Sequence, residues 1–189
     1  MTPRILPLTP PHTPAVADQL AQWMPPDTGV EPIALFRLLT RSLPLTEALL
    51  PTGRRMLSRR SPISLRDREL VILRVCARLR CEYEWGVHVA GFAMAAGLTD
   101  EQVAATTESG LASVWTDDDC ATLTFVDALL DGASVDDEAW AALGTRYDDD
   151  TLLELLVLVG WYHAIAFVAN GVRLDLEEWA ARFPAAAPA

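Results

Sequence analysis

The sequence predicts an all-α fold, a single-domain helical bundle, and three observations carry that expectation. Apolar residues recur at the three- and four-residue spacing of helices in segment after segment. No alternating apolar pattern longer than a few positions marks a strand. Ser, Thr, Asp and Gly stand where helices would begin and end. A chain of 189 residues with 51% hydrophobic content suits one domain with a buried core rather than a disordered one.

Residues 1–30 contain seven prolines and are expected to form an arm lying on the domain or on a neighbouring subunit. Within the arm only Ala15 to Met24 can make a helical turn or two, and Pro25-Pro26-Asp27-Thr28-Gly29 reads as a turn. The helical domain is expected over residues 31–183. From Pro32 to Ser42, Ile33, Leu35, Phe36, Leu38 and Leu39 fit an amphipathic helix, and Pro44 opens another toward Leu57. Ser64, with Asp67 three positions on, starts a helix from Leu65 to about Arg80 whose nearly continuous apolar residues put it at the centre of the bundle. Glu82 to Ala96 follows, ended by Gly97 as a left-handed cap, and Thr99 to Gln102 caps the next helix. After a linker at 110–120 come a helix from about Asp118 to Leu130, a short one from Asp136 to Leu143, and a long one from Asp150 to about Val172. That last helix is apolar nearly all round, so it is expected inside the bundle or in an interface between subunits. Tyr162, His163 and Asn170 are expected to make it too polar for a membrane span. The tail, residues 184–189, is low in complexity and expected to be mobile.

Charge and cysteine content narrow the function classes. A net charge of -11 disfavours binding to nucleic acid, which would set a polyanion against an acidic surface. The charge is divided: residues 1–80 hold 12 Arg against 6 acids, and residues 81–189 hold 3 Arg against 20 acids. Either the halves pack against each other or a neighbouring subunit, or an Arg-lined pocket draws in a carboxylate substrate. There is no lysine, which excludes Schiff-base chemistry on that residue. Cys76, Cys81 and Cys120 form neither an even secreted framework nor a CxxC pair, and the proline-broken N-terminus lacks a signal peptide's apolar run. The expectation is a cytoplasmic protein with no membrane partner.

The stretch from Cys81 to Gly97 concentrates the chemistry. Cys81, Glu84 and His88 are three and then four residues apart, which stacks a thiol, a carboxylate and an imidazole on one helix face. Gly91, Phe92 and Ala95 continue that face, so the ionisable groups point toward a packed interior where their pKa values shift. Glu84 and His88 could hold a metal, but a di-iron bundle needs a Glu-x-x-His pair twice, and here the spacing is one longer with no second copy. No metal is expected. His163 reads as a core or interface histidine, and His12 as exposed on the arm.

These residues carry a resemblance. The order Arg66-Asp67-Arg68-Glu69-Leu70-Val71-Ile72-Leu73-Arg74, Cys81-Glu82-Tyr83-Glu84-Trp85, His88, Ala95-Ala96-Gly97-Leu98, Trp161-Tyr162 and Asn170 resembles the carboxymuconolactone decarboxylase and alkyl hydroperoxidase D superfamily, from about Leu43 to Leu176. In the hydroperoxidase branch a glutamate lies twelve positions before the first Cys of a CxxC pair, and a histidine four after the second. Here Glu69 lies twelve before Cys81 and His88 four after Glu84, so Glu84 replaces the peroxide-attacking thiol. Cys81 can then serve as attacking or resolving thiol but not both, and Cys76 is expected on another helix or at its end.

The resemblance therefore implies the decarboxylase branch: a cofactor-free enzyme moving protons on a small, anionic, carboxylated lactone or carbonyl acid. A thiol-dependent peroxidase and a non-catalytic oligomeric binding module are the alternatives. The expected catalytic groups are Glu69, Cys81, Glu84 and His88, gathered round a hollow, with His88 carrying the proton and a glutamate orienting it. Arg74 is expected to hold the substrate carboxylate, Trp85 and Tyr162 to wall the site, and Asn170 to line it. Family members assemble as trimers or hexamers, and self-association is expected here too.

Overall fold

The computed structural model describes residues 2–24 and 31–185. Nine α-helices follow one another among them: α1 (Pro14–Trp23), α2 (Ala34–Leu39), α3 (Leu43–Met56), α4 (Leu65–Arg78), α5 (Glu82–His88), α6 (Asp100–Ala105), α7 (Asp117–Gly132), α8 (Asp137–Gly144) and α9 (Asp149–Val172). The described residues contain no strand. The expected turn at Pro25 to Gly29 and the end of the tail lie outside them.

α4 is the axis of the bundle, packed on α5, α7 and α9. Every residue from Asp67 to Cys76 is buried, so its polar side chains have had to find partners inside the protein. Ser64 caps it by accepting from the Asp67 N–H at 3.0 Å. Asp67 does not return to the Ser64 backbone as in a capping box. It takes the Ser64 hydroxyl at 2.8 Å and spends its remaining capacity on Arg146, Tyr147 and Thr122.

Helix starts follow the short polar residues. Thr99 with Gln102 and Thr116 with Asp119 form reciprocal capping boxes, and Asp136 and Asp148 cap α8 and α9. Helix ends are less legible. α4, α7 and α9 all end on left-handed residues that are not glycine: Arg80 (φ 53°), Ala133 (φ 52°) and Arg173 (φ 57°). The expected helix from Glu82 to Ala96 is α-helical only to His88, after which Val89–Ala93 forms a π-helical turn. The wider turn brings the Phe92 ring to 5.1 Å from that of His88.

The opposite charges of the two halves meet within the chain. Arg74 and Arg78 of α4 pair with Asp127 of α7, Arg66 with Asp119, Arg146 with Asp67, and Arg55 with Glu154. The arm also lies on its own domain. The Arg4 N–H donates to the Val172 carbonyl at 2.7 Å, and the Trp23 indole donates to Thr46 at 2.9 Å. At the other end, residues after α9 cross α5, with the Ala181 N–H donating to the Gly86 carbonyl at 3.1 Å. A Cβ at position 86 would overlap the Ala181 carbonyl oxygen, which is why glycine stands there.

α9 is long and apolar enough to pass for a membrane span by length and composition, against the expectation that its polar residues prevent this. Its inner face is nevertheless core: Leu152, Leu155, Leu158, Tyr162, Ile165 and Ala166 are buried, and it packs on α3, α4, α5 and α8.

Candidate functional site

Three helices converge on His88. α4 supplies Glu69, which has 0% exposure, α5 supplies Glu84 and His88 one turn apart, and α9 supplies Tyr162. His88 Nδ1 lies 2.7 Å from Glu69 Oε2, and Nε2 lies 2.9 Å from the Tyr162 hydroxyl. The Glu69 carboxylate can only accept, so Nδ1 carries a hydrogen, and in the neutral ring Nε2 is left to accept from Tyr162. Glu84 Oε2 stands 3.8 Å from Nε2, near enough to interact as a charge but too far for a hydrogen bond. The other Glu69 oxygen accepts from Arg68 Nε at 3.1 Å. Arg68, Glu69, His88 and Tyr162 thus form one continuous hydrogen-bonded chain.

The environment sets the protons. Burial pushes the His88 imidazolium toward losing its proton, but Glu69 beside it, with Glu84 in support, outweighs this and raises the pKa above 6.5. Burial raises the Glu84 carboxyl above 4.5, only partly offset by His88, so it holds a proton more readily than a free carboxyl. Burial and the two nearby glutamates hold the Tyr162 phenol firmly protonated. One atom is left over: Glu84 Oε1 is buried and has no hydrogen-bond partner among the described residues. An orphaned buried oxygen is costly to keep, by about 1–3 kcal/mol, and marks where a polar group belongs.

The residues singled out from sequence fall into two sets. Glu69, Glu84, His88 and Tyr162 are together, and Cys81 is fully buried at the start of α5. Arg74 is elsewhere. Its five N–H groups are committed to Asp127, twice, and to the carbonyls of Thr106, Glu108 and Gly110. No donor remains for a substrate, and Arg74 acts as a clamp between α4, α7 and the loop after α6. Trp85 is a core residue donating to Thr106 at 2.9 Å. Asn170 is exposed and donates to the Leu79 carbonyl at 2.9 Å, tying α9 to the end of α4.

The expected hollow is closed. His88 and Glu84 are 3% and 4% exposed, and Phe92, half-buried, covers the imidazole. A groove of about 470 Å³ lies away from His88, between α8 and the start of α9, lined by Trp140, Tyr147, Asp148, Asp149 and Asp150 among others. Arg68 was not singled out from sequence. It is 6% exposed, and beyond Nε its guanidinium makes no hydrogen bond among the described residues.

Comparisons with known proteins bear on the family and the fold. Residues 44–137 match the carboxymuconolactone decarboxylase family. Among solved structures, an uncharacterized peroxidase-related protein from Silicibacter sp. TM1040 superposes with a TM-score of 0.74 at 15% identity, covering 94% of this chain and 92% of that one. A protein of unknown function from Agrobacterium tumefaciens, suggested to be an antioxidant defence protein AhpD, superposes with a TM-score of 0.65 at 20% identity, covering 72% and 93%. No match was found among curated proteins. The chain thus carries the carboxymuconolactone decarboxylase family match over residues 44–137 and shares its fold with both solved structures.

Proposed function

We propose that the protein is a cofactor-free acid/base enzyme that decarboxylates, or moves a proton on, a small carboxylated lactone or carbonyl acid. The observation that supports this reading is the buried Glu69–His88–Tyr162 chain beside a carboxyl group whose pKa burial raises and which has one unpartnered oxygen. Decarboxylation next to a conjugated carbonyl breaks the bond to the carboxylate carbon and leaves its electron pair as an enolate. A donor must then steady the enolate oxygen, and an acid must return a proton to carbon. Glu84 is the acid with a free face. His88 recharges it, since its raised pKa keeps a proton available near neutral pH, and Glu69 fixes the imidazole through Nδ1. Arg68, rather than Arg74, has guanidinium N–H groups free to hold the substrate carboxylate as a fork. Access requires Phe92 to swing off the imidazole, a side-chain movement in the π-helical turn.

The test is carbon dioxide release from a carboxymuconolactone-type acid, with deuterium uptake at the product carbon followed in heavy water. Wild type is expected to release carbon dioxide. His88→Gln should lose on the order of 10²–10⁴ in kcat, the usual worth of one positioned acid/base group. Equal rates in the two proteins remove His88 from the chemistry.

A further inference from the structure

An enolate needs a hydrogen-bond donor at its oxygen, and Tyr162 has one hydrogen whose direction depends on His88. Nδ1 of His88 is held by Glu69 Oε2 at 2.7 Å in either protonation state, so Nε2 is the nitrogen that changes. In the neutral ring Nε2 is a lone pair that takes the Tyr162 hydrogen across 2.9 Å. In the imidazolium it carries its own hydrogen and donates to the Tyr162 oxygen, so the phenol hydrogen has to leave this contact. Conjugation keeps that hydrogen in the plane of the phenol ring, which stands at 86° to the imidazole, and leaves it one other position, turned away from His88. There it has no acceptor, because the Tyr162 hydroxyl makes no second hydrogen bond among the described residues. Glu84 flanks the same nitrogen: Oε2 stands 3.8 Å from Nε2, and Oε1 is buried without a partner.

We propose that Tyr162 is the oxyanion donor of the site, and that it is released for this task only when His88 carries both ring hydrogens. The proposal rests on the acid/base reading for its substrate class, a small acid whose cleavage leaves an enolate oxygen, and it names the group that holds that oxygen. A substrate oxygen admitted past Phe92 takes the freed Tyr162 hydrogen. Behind it stands His88 Nε2–H, so imidazolium, phenol and enolate form a chain of donors in which each polarises the next. One protonation of His88 thus prepares the donor and stocks the proton that Glu84 returns to carbon. Once that proton has gone and His88 is neutral, Nε2 takes the phenol hydrogen back and the product oxygen loses its donor.

The surrounding charges make His88, and not Tyr162, the group that titrates. Burial disfavours the imidazolium, but Glu69 and then Glu84 outweigh it against the opposing charge of Arg68, and the pKa lies above 6.5. Burial, then Glu84, Glu69 and Cys76, keep the phenol protonated, with Arg68 acting the other way. The donor is therefore free below the folded pKa of His88 and recaptured as pH rises through it.

The test uses 4-nitrophenolate, a coloured oxyanion that binds without turnover. The dissociation constant of its ionised form is measured on the full chain against pH, alongside the His88 titration followed by the nitrogen resonances that vanish in His88→Gln. Wild type should hold the phenolate about 10- to 100-fold more tightly below the His88 pKa than above it, the worth of one hydrogen bond to a charged group. Tyr162→Phe keeps the ring and the imidazolium charge but removes the hydroxyl. It should lose that factor at low pH while His88 still titrates, which separates donation from attraction by charge. Equal affinity in Tyr162→Phe and wild type overturns the proposal. So does wild-type affinity that passes through the His88 titration unchanged, or a wild type that takes up no phenolate. With a carboxymuconolactone-type acid, Tyr162→Phe should lower kcat about 10²–10³-fold, the usual cost of one oxyanion donor, with KM little changed. Phenolate held through Tyr162 without any carbon dioxide release overturns the decarboxylase reading and leaves the donor standing. Carbon dioxide released as fast by Tyr162→Phe as by wild type does the reverse.

Discussion

At the scale of single residues, the site sets its own pH dependence. His88 has a folded pKa above its ordinary 6.5, so it contributes stability that is present below 6.5 and lost as pH rises through the folded value. Glu84 acts in the same direction, because a carboxyl raised above 4.5 penalises the folded state once pH climbs past that point. Asp67 and Asp119 act oppositely. Burial raises them, but hydrogen bonds from Arg146, Tyr147 and Ser64 to the first, and from Arg66 and Thr116 to the second, hold both below 3.8. Their stabilisation is present above 3.8 and lost as pH falls through the folded values. Urea unfolding across pH is therefore expected to show greatest stability on the acid side of neutrality. His88→Gln should flatten the alkaline limb, and Asp67→Asn the acid limb. Arg68 gives a second expectation: Arg68→Lys should raise KM for an anionic substrate more than it lowers kcat, since the charge stays while the fork is lost. Helical spacing in the sequence was enough to align Glu84 with His88. It could not choose between Arg68 and Arg74, because α4 is buried all round and periodicity gives it no outward side.

The helices differ in how plainly their ends are written. Starts are legible because a hydroxyl or carboxylate must answer the free N–H groups, and Ser64, Thr99 and Asp148 do so. Ends at Arg80, Ala133 and Arg173 carry no such mark, since tertiary packing holds a non-glycine residue in the left-handed region. Ala133→Gly removes the Cβ penalty at an exposed cap, about 1–2 kcal/mol, and adds back roughly 0.5–1 in unfolded-chain entropy. A net gain of about 0.5–1 kcal/mol in urea unfolding is expected. Arg74 is the opposite case. Replacing it by Met leaves Asp127 and three carbonyls without their buried partner, and a loss of about 3–5 kcal/mol is expected. A change under 1 kcal/mol would mean that the clamp between α4 and α7 is dispensable.

For the molecule as a whole, the all-α class followed from periodicity, and the division of charge found its use in pairing α4 with α7. Assembly is a further step, and α9 carries it. On the face turned away from α4, Leu153, Val157, Gly160, Ala164 and Phe167 recur at spacings of four and three, the seam of a helix that packs on another helix. Leu153, Val157 and Phe167 are 60%, 45% and 66% exposed, and leaving such side chains in water forgoes about 1.5–3 kcal/mol each. The small residues between them let a second helix come close. Charge is absent from the seam itself, so nothing on it repels a second copy of the same face. Light scattering is therefore expected to find a multimer that dissociates on dilution. Val157→Glu with Phe167→Glu should give a monomer that keeps its helical circular dichroism, because neither side chain is part of the core. If wild type is already monomeric at high concentration, the seam has another occupant and the helix is apolar on that side for a different reason.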